Sequence, residues 1–159
     1  MVVLGAGGAA RAVVAALNDL GASEVCIVNR SRARAERLAL ALSPHIGPKI
    51  RIFEPTDWSK AAQGAALAIN ATSAGMKGAP SLDLALNVLP KGAWICDIVY
   101  NPLETELLKR AQAAGLRTID GLGMLMHQAV PAFEAFYGGD PQVTPALRQY
   151  LEKALRSGK

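Results

Sequence analysis

Residues Gly5-Ala6-Gly7-Gly8-Ala9-Ala10 follow the pattern Gly-x-Gly-x-x-Ala. They lie between an apolar triplet, Val2-Val3-Leu4, and a helical stripe at Ala10, Val13, Val14 and Leu17. The spacing suits phosphate binding by bare main chain. Gly5 can take the backbone angles of a sharp turn. Gly7 has no side chain to hold a pyrophosphate away, and Ala10 lets the helix sit close to the strand. The first turn of that helix carries unpaired N–H groups and the positive end of the helix dipole, both aimed at an anion. An ordinary glycine-rich turn would share the pattern, but the flanking strand and helix favour the phosphate reading.

A second group ends the next apolar run. Asn29-Arg30-Ser31-Arg32-Ala33-Arg34, with Arg37 close behind, holds four of the 17 Lys and Arg residues. A domain that takes NAD usually has an acidic residue here for the ribose 2′-hydroxyl. A carboxylate would repel a 2′-phosphate, whereas guanidinium forks pair with its oxygens. The expected cofactor is therefore NADP, with Arg30 and Arg34 at the phosphate and Arg32 and Arg37 left to a solvated helix face. Ser31 is suited to cap that helix. A third group, Asn70-Ala71-Thr72-Ser73-Ala74-Gly75-Met76, puts small hydroxylated residues after another apolar run. Ligands bind at the carboxyl ends of parallel strands, although a plain polar turn would read the same. No residue presents itself as catalytic: His45 falls in a loop, and His127 stands beside Gln128 on a helix. Cys26 and Cys96 lack metal-ligand spacing and read as reduced, buried thiols of a cytoplasmic protein.

The elements that must position these groups follow from composition and period. A chain of 159 residues, 51% hydrophobic and 19% charged, can build one domain with a sizeable core. No apolar run is long enough for a bilayer, and no signal-peptide pattern opens the chain. A net charge of +4 could serve nucleic acid, but aromatics are only 5% and no long basic run occurs. A phosphate-rich small ligand is the milder explanation, with neither nucleic acid nor membrane as partner. Strands are expected at 2–4, 23–28, 49–53, 65–69, 93–97 and 116–119, the first unusually short. Helices alternate with them. The result is a Rossmann-like, doubly wound α/β fold: a mostly parallel six-stranded sheet, helices on both faces and extra C-terminal helices. Of those last helices, 122–137 should kink at Pro131. The other opens at Thr144-Pro145 and carries a stripe of Leu147, Tyr150, Leu151, Ala154 and Leu155. It follows the completed sheet and so needs some other apolar surface.

The glycine turn, Asn29-Arg30-Ser31, the 70–76 run, Asp97-Ile98-Val99-Tyr100-Asn101-Pro102 and Asp120-Gly121-Leu122-Gly123-Met124-Leu125 through Gln128 occur in that order. Together, over about residues 1–138, they resemble the C-terminal NADP-binding domain of shikimate dehydrogenase. The resemblance implies NADP-dependent interconversion of 3-dehydroshikimate and shikimate, in the route to aromatic amino acids. It implies that Gly5, Ala6, Gly7, Gly8 and Ala9 hold the pyrophosphate. Asn29, Arg30, Ser31, Arg32, Ala33 and Arg34 would hold the adenosine ribose and its phosphate. Thr72 and Ser73 would border the cofactor, Ile98 would pack on the nicotinamide, and Gly121 would meet it through its backbone. Tyr100 and Gln128 would reach the substrate, as a phenol and an amide can bond a polyhydroxy carboxylate without adding charge. Members of the family often have methionine where Ile98 stands. Asp97 and Asp120 are better suited to bond nearby backbone than to do chemistry.

The departure from the family is as informative. Its members carry a substrate domain ahead of the glycine turn, with a lysine–aspartate catalytic pair. Residues 1–159 then correspond to the cofactor half, inactive alone, with the helix at about 144–157 packing on the absent domain. Uncovered apolar surface would favour self-association. A stand-alone NADP-binding module and a quinate-preferring relative remain open as alternatives.

Overall fold

The structure is a computed structural model and describes residues 1–157. Six strands form one sheet: β1 (Val2–Leu4), β2 (Glu24–Val28), β3 (Lys49–Phe53), β4 (Leu67–Asn70), β5 (Trp94–Asp97) and β6 (Arg117–Ile119). Their order is β3-β2-β1-β4-β5-β6, and every neighbouring pair is parallel. Helices α1 (Gly8–Asp19), α2 (Arg32–Leu42), α3 (Trp58–Ala62) and α4 (Glu106–Ala113) make the crossovers, and α5 (Gly121–Tyr137) and α6 (Pro145–Ser157) follow the sheet.

Alternation along the strands divides the core into two layers. Val3, Val25, Ile27 and Ile69 face α1 and α2, meeting Ala10, Val14, Leu17, Ala35 and Leu38. Val2, Leu4, Cys26, Val28 and Ile95 face the other way, toward Trp58, Ala61, Leu107 and Leu108 of α3 and α4. Three residues suffice for β1 because it is the middle of the sheet, paired to β2 and β4, and buried throughout. Capping matches the residue types: Ser31 Oγ accepts from Arg34 N, Thr105 Oγ1 from Leu108 N, and Thr144 Oγ1 from Leu147 N.

Two expectations are adjusted. The fourth strand runs to Asn70 rather than Ile69, because Asn70 is in register with both Leu4 and Asp97. Cys96 is half-buried rather than buried, its side chain lying on the sheet's partly covered β5 flank. Helix α5 is continuous from Gly121 to Tyr137 with Pro131 inside it.

Candidate functional site

Strand order reverses between β1 and β4, so the carboxyl ends of these two strands splay their connections apart. Such a switch point opens a crevice. The glycine turn enters it from one side. Gly5 has φ +110°, and its N–H donates to Val28 O at 2.8 Å. A Cβ there would stand 3.0 Å from both the Ala71 carbonyl oxygen and the Thr72 methyl. A Cβ at Gly7 or Gly8 would instead meet nothing within 4 Å. The main chain at these two positions thus borders open space above the N-terminus of α1.

Two cavities share Gly7 and Gly8 in their walls. One, of about 600 Å³, extends over Thr72, Ser73, Ile98, Tyr100 and Met124. The other, of about 480 Å³, extends toward α2 and is lined by Ala6, Arg11, Arg34, Arg37 and Leu38. The groove therefore has a cationic end and a largely apolar end, joined across bare backbone.

Of the arginines assigned to phosphate, Arg34 lines the cationic cavity; Arg30 is exposed on the β2–α2 connection and is not in its wall. Arg37, left to solvent by the sequence reading, lines the cavity, as does Arg11 in the first turn of α1. Arg32 turns outward and pairs with Glu36 at 2.9 Å. Asn29 is half-buried and braces the turn, its Nδ2 donating to Ser31 O at 2.8 Å, and Ala33 is exposed beside it. Ala9 borders the first cavity.

The polar run at the end of β4 is tightly organised. Asn70 Oδ1 accepts from Thr72 N at 3.0 Å and from Thr72 Oγ1 at 2.7 Å. Asn70 Nδ2 donates to Asp97 Oδ1 at 2.8 Å and to Ala74 O at 3.0 Å. Asp97, fully buried, also accepts from Val99 N at 3.1 Å and from Thr105 Oγ1 at 2.7 Å. The burial pushes its carboxyl above the ordinary carboxylate range, against the hydrogen bonds from Thr105, Val99 and Asn70. Burial likewise drives the Cys96 thiol up to about 11, so it stays protonated at neutral pH. Asp120 Oδ1 accepts from Leu122 N at 3.0 Å, capping α5, and Oδ2 pairs with Arg148 of α6 at 2.5 Å.

Tyr100 lies in the wall of the apolar end. Gln128 is exposed on α5 one helical turn beyond Met124, on the same face. Gly121 is buried and packs against the Ile98 and Val99 carbonyls rather than lining either cavity. His127 is exposed and outside both. Sequence reasoning missed Arg11, Met76, Lys77, Asn101 and Met124, all of which line the groove. Arg11 had a local signal, a cation in the first turn of a helix, where the dipole disfavours it. The others are brought in by tertiary packing.

Strand order, glycine turn and switch-point groove together define a Rossmann-like α/β domain. Comparison with known proteins narrows the class. A family model described as Shikimate / quinate 5-dehydrogenase matches residues 1–78. A shikimate dehydrogenase (NADP(+)) of Methylocella silvestris is 53% identical over 151 residues, which is 95% of this chain and 52% of that protein. One from Rhodopseudomonas palustris is 51% identical over 154 residues, 97% of this chain and 53% of that protein. Among solved structures, quinate dehydrogenase from Corynebacterium glutamicum in complex with NAD superposes with TM-score 0.83 at 36% identity, over 94% of this chain and 54% of that one. Shikimate 5-dehydrogenase from Thermus thermophilus in complex with NADP(H) and shikimate gives 0.74 at 33% identity, over 99% and 54%. The chain is similar to these shikimate dehydrogenases over nearly its whole length, and it spans about half the length of the curated relatives it matches.

Proposed function

We propose that this chain is the NADP-binding, C-terminal half of a shikimate dehydrogenase, an oxidoreductase that interconverts 3-dehydroshikimate and shikimate. The observation that carries the reading is the groove itself. Two cavities of unlike character meet over Gly7 and Gly8, where a side chain would project into the space a pyrophosphate needs. Residues 5–9 and the α1 N-terminus would take the pyrophosphate, and the Asn29–Arg34 segment the adenosine ribose with its 2′-phosphate. The Thr72 hydroxyl is already engaged with Asn70 and Ala74, so Thr72 would border the cofactor through its methyl group. Ser73 would lie beside it, with Ile98 against the nicotinamide and Gly121 behind Ile98. The bound nicotinamide supplies a hydride; Tyr100 and Gln128 would hold the substrate's polar groups.

Proton transfer needs a group with a partner that tunes it. Lys77 and Tyr100 are the titratable side chains in the wall of the apolar end. By the likeness to the family, the proton would be handled by a substrate domain packed against α6 and the distal half of α5, and the chain alone would turn over no shikimate. No helix of the described residues is long and apolar enough to cross a membrane.

Calorimetric titration of the chain with NADPH and NADH tests this. Binding of NADPH well ahead of NADH is expected, with no shikimate-dependent reduction of NADP by the chain alone. Equal affinity for both nucleotides would overturn the NADP assignment. Turnover of shikimate or of quinate by the chain alone would overturn the division of labour.

A further inference from the structure

We propose that Asn70 is a positioning residue for the nicotinamide half of the dinucleotide: it touches no part of the ligand, and through Asp97 it sets the spacing of the two loops that hold the ring. This role rests on the dinucleotide reading above and adds a residue which that reading leaves out. One loop follows β4 and walls the apolar end of the groove with Thr72, Ser73 and Met76; the other follows β5 and walls it with Ile98 and Tyr100. Each loop is held from beneath by the last side chain of its strand. Asn70 Oδ1 accepts from both the N–H and the hydroxyl of Thr72, and Asn70 Nδ2 donates to Ala74 O. Asp97 Oδ1 accepts from Val99 N. The 2.8 Å bond from Asn70 Nδ2 to that same oxygen joins the two loops at their base. At the rim, Lys77 N donates to Asn101 O at 3.1 Å.

Asn70 and Asp97 are buried, and neither lines the cavity, so they act on a ligand only through the loops. Gly75, at φ +89°, seats the first loop on the network: a Cβ there would stand 3.7 Å from the Thr105 Cβ and 4.0 Å from Asp97 Oδ2. Stability alone does not call for such a pair. An apolar residue at either position would avoid the desolvation of a buried carboxylate or amide. The apolar pattern of both strands is broken where the cavity walls begin, and a local rule broken in this way marks a site. A fully satisfied polar network fixes one geometry. A planar ring slotted between two loops needs its walls held to within roughly 0.5 Å, and this network supplies the constraint. The cationic cavity shares only Gly7 and Gly8 with the apolar one, so the effect is confined to one half of the ligand.

The test is calorimetric titration of the full chain and of Asn70→Ala, Thr72→Val and Val25→Ala. The ligands are NADPH and adenosine 2′,5′-bisphosphate, which has the phosphorylated adenosine end and no nicotinamide. Thr72→Val keeps the methyl group of Thr72 and removes only the hydroxyl bonds to Asn70 and to Ala74 N. Asn70→Ala should weaken NADPH about tenfold and Thr72→Val about fivefold, for the hydrogen bonds lost, with the bisphosphate weakened less than about twofold. Val25→Ala, in the core at the amino end of β2, should lower the thermal midpoint and weaken neither ligand. Should Asn70→Ala fail to fold, Thr72→Val decides by itself. Equal losses of both ligands in Thr72→Val, or no loss of either, would overturn the positioning role alone. So would a selective loss of NADPH in Val25→Ala, since lowered stability would then account for it. A parent chain that binds NADPH no more tightly than the bisphosphate would overturn it too, because the apolar end would hold no ring. A parent that binds neither ligand would overturn the dinucleotide reading with it.

Discussion

A Cβ built at Gly121 would lie 2.4 Å from the Ile98 carbonyl oxygen and 2.7 Å from that of Val99. These are backbone atoms, so no side chain can swing aside, and α5 can approach the end of β5 only because position 121 is bare. At Gly7 the same operation meets open space, and its backbone (φ −96°, ψ −167°) is one that alanine adopts. The two substitutions should therefore separate folding from binding. Gly121→Ala is expected to destabilise by about 3 kcal/mol, the upper end of ordinary overpacking. Gly7→Ala should leave the denaturation midpoint unchanged. It should weaken NADPH and NADH alike, by about tenfold, as a methyl group intrudes on the pyrophosphate. Chemical denaturation beside calorimetry checks both, and a Gly7→Ala variant that melts early would place that residue in the fold instead. The open backbone at Gly7 was legible in the sequence because it is a feature local to one strand–turn–helix unit. The packing role of Gly121 was not, because the atoms it avoids belong to a segment more than twenty residues away.

At the scale of elements, most of the sheet could be read from period and punctuation. Apolar runs ended by Gly, Pro or a capping residue gave β1 to β6, α5 and α6 to within two residues. What could not be read is how the carboxyl ends of the strands are tied together. Asn70 on β4, Asp97 on β5 and Thr105 at the start of α4 form one buried network with no unpaired buried side-chain polar atom among the described residues. Twenty-seven residues separate Asn70 from Asp97, and only the parallel register joins them. The network has a pH signature. Burial raises the Asp97 carboxyl above the value it has in the unfolded chain, about 4. Between those two values the folded state binds more protons, so the contribution of Asp97 to stability is greatest in acid and declines as pH rises through the window. Asp97→Asn keeps an oxygen for Asn70 and Val99 and presents an amide to the Thr105 hydroxyl. It should remove that decline while leaving the fold intact. Asp97→Ala leaves three donors without their acceptor and should cost roughly 3 kcal/mol or more. Urea midpoints from pH 3 upward, taken as variant minus parent, measure the effect; a difference that does not change with pH would mean that Asp97 titrates normally.

On the scale of the whole molecule, the sheet buries its two faces under α1 to α4 and leaves α5 and α6 without an equivalent layer. Helix α6 has no buried residue and is tied to the domain by Arg148, which bridges Asp120 and Glu152. The distal half of α5 exposes Phe133, Phe136 at 83% and Tyr137 at 78%, with Leu147 and Tyr150 of α6 also uncovered. The Phe133 and Tyr137 rings lie 5.0 Å apart and form one aromatic edge. The sequence showed the α6 stripe but not this edge, because α5 carries apolar residues all round and only its contacts decide which face stays wet. Relatives about twice as long have further chain that could cover such a surface; alone, this chain has only other copies of itself. Static light scattering over a concentration series should show an average mass rising above 16.7 kDa, strengthened by added salt, as apolar association is and ion pairing is not. The double variant Phe136→Ser/Tyr137→Ser removes the two most exposed rings of the edge. It should return the mass toward the monomer without lowering the thermal midpoint, since neither ring is buried. A parent chain that stays monomeric throughout would show that α5 and α6 shield this surface from themselves, and association unchanged in the double variant would locate it elsewhere, at an open edge of the sheet such as β3 or β6.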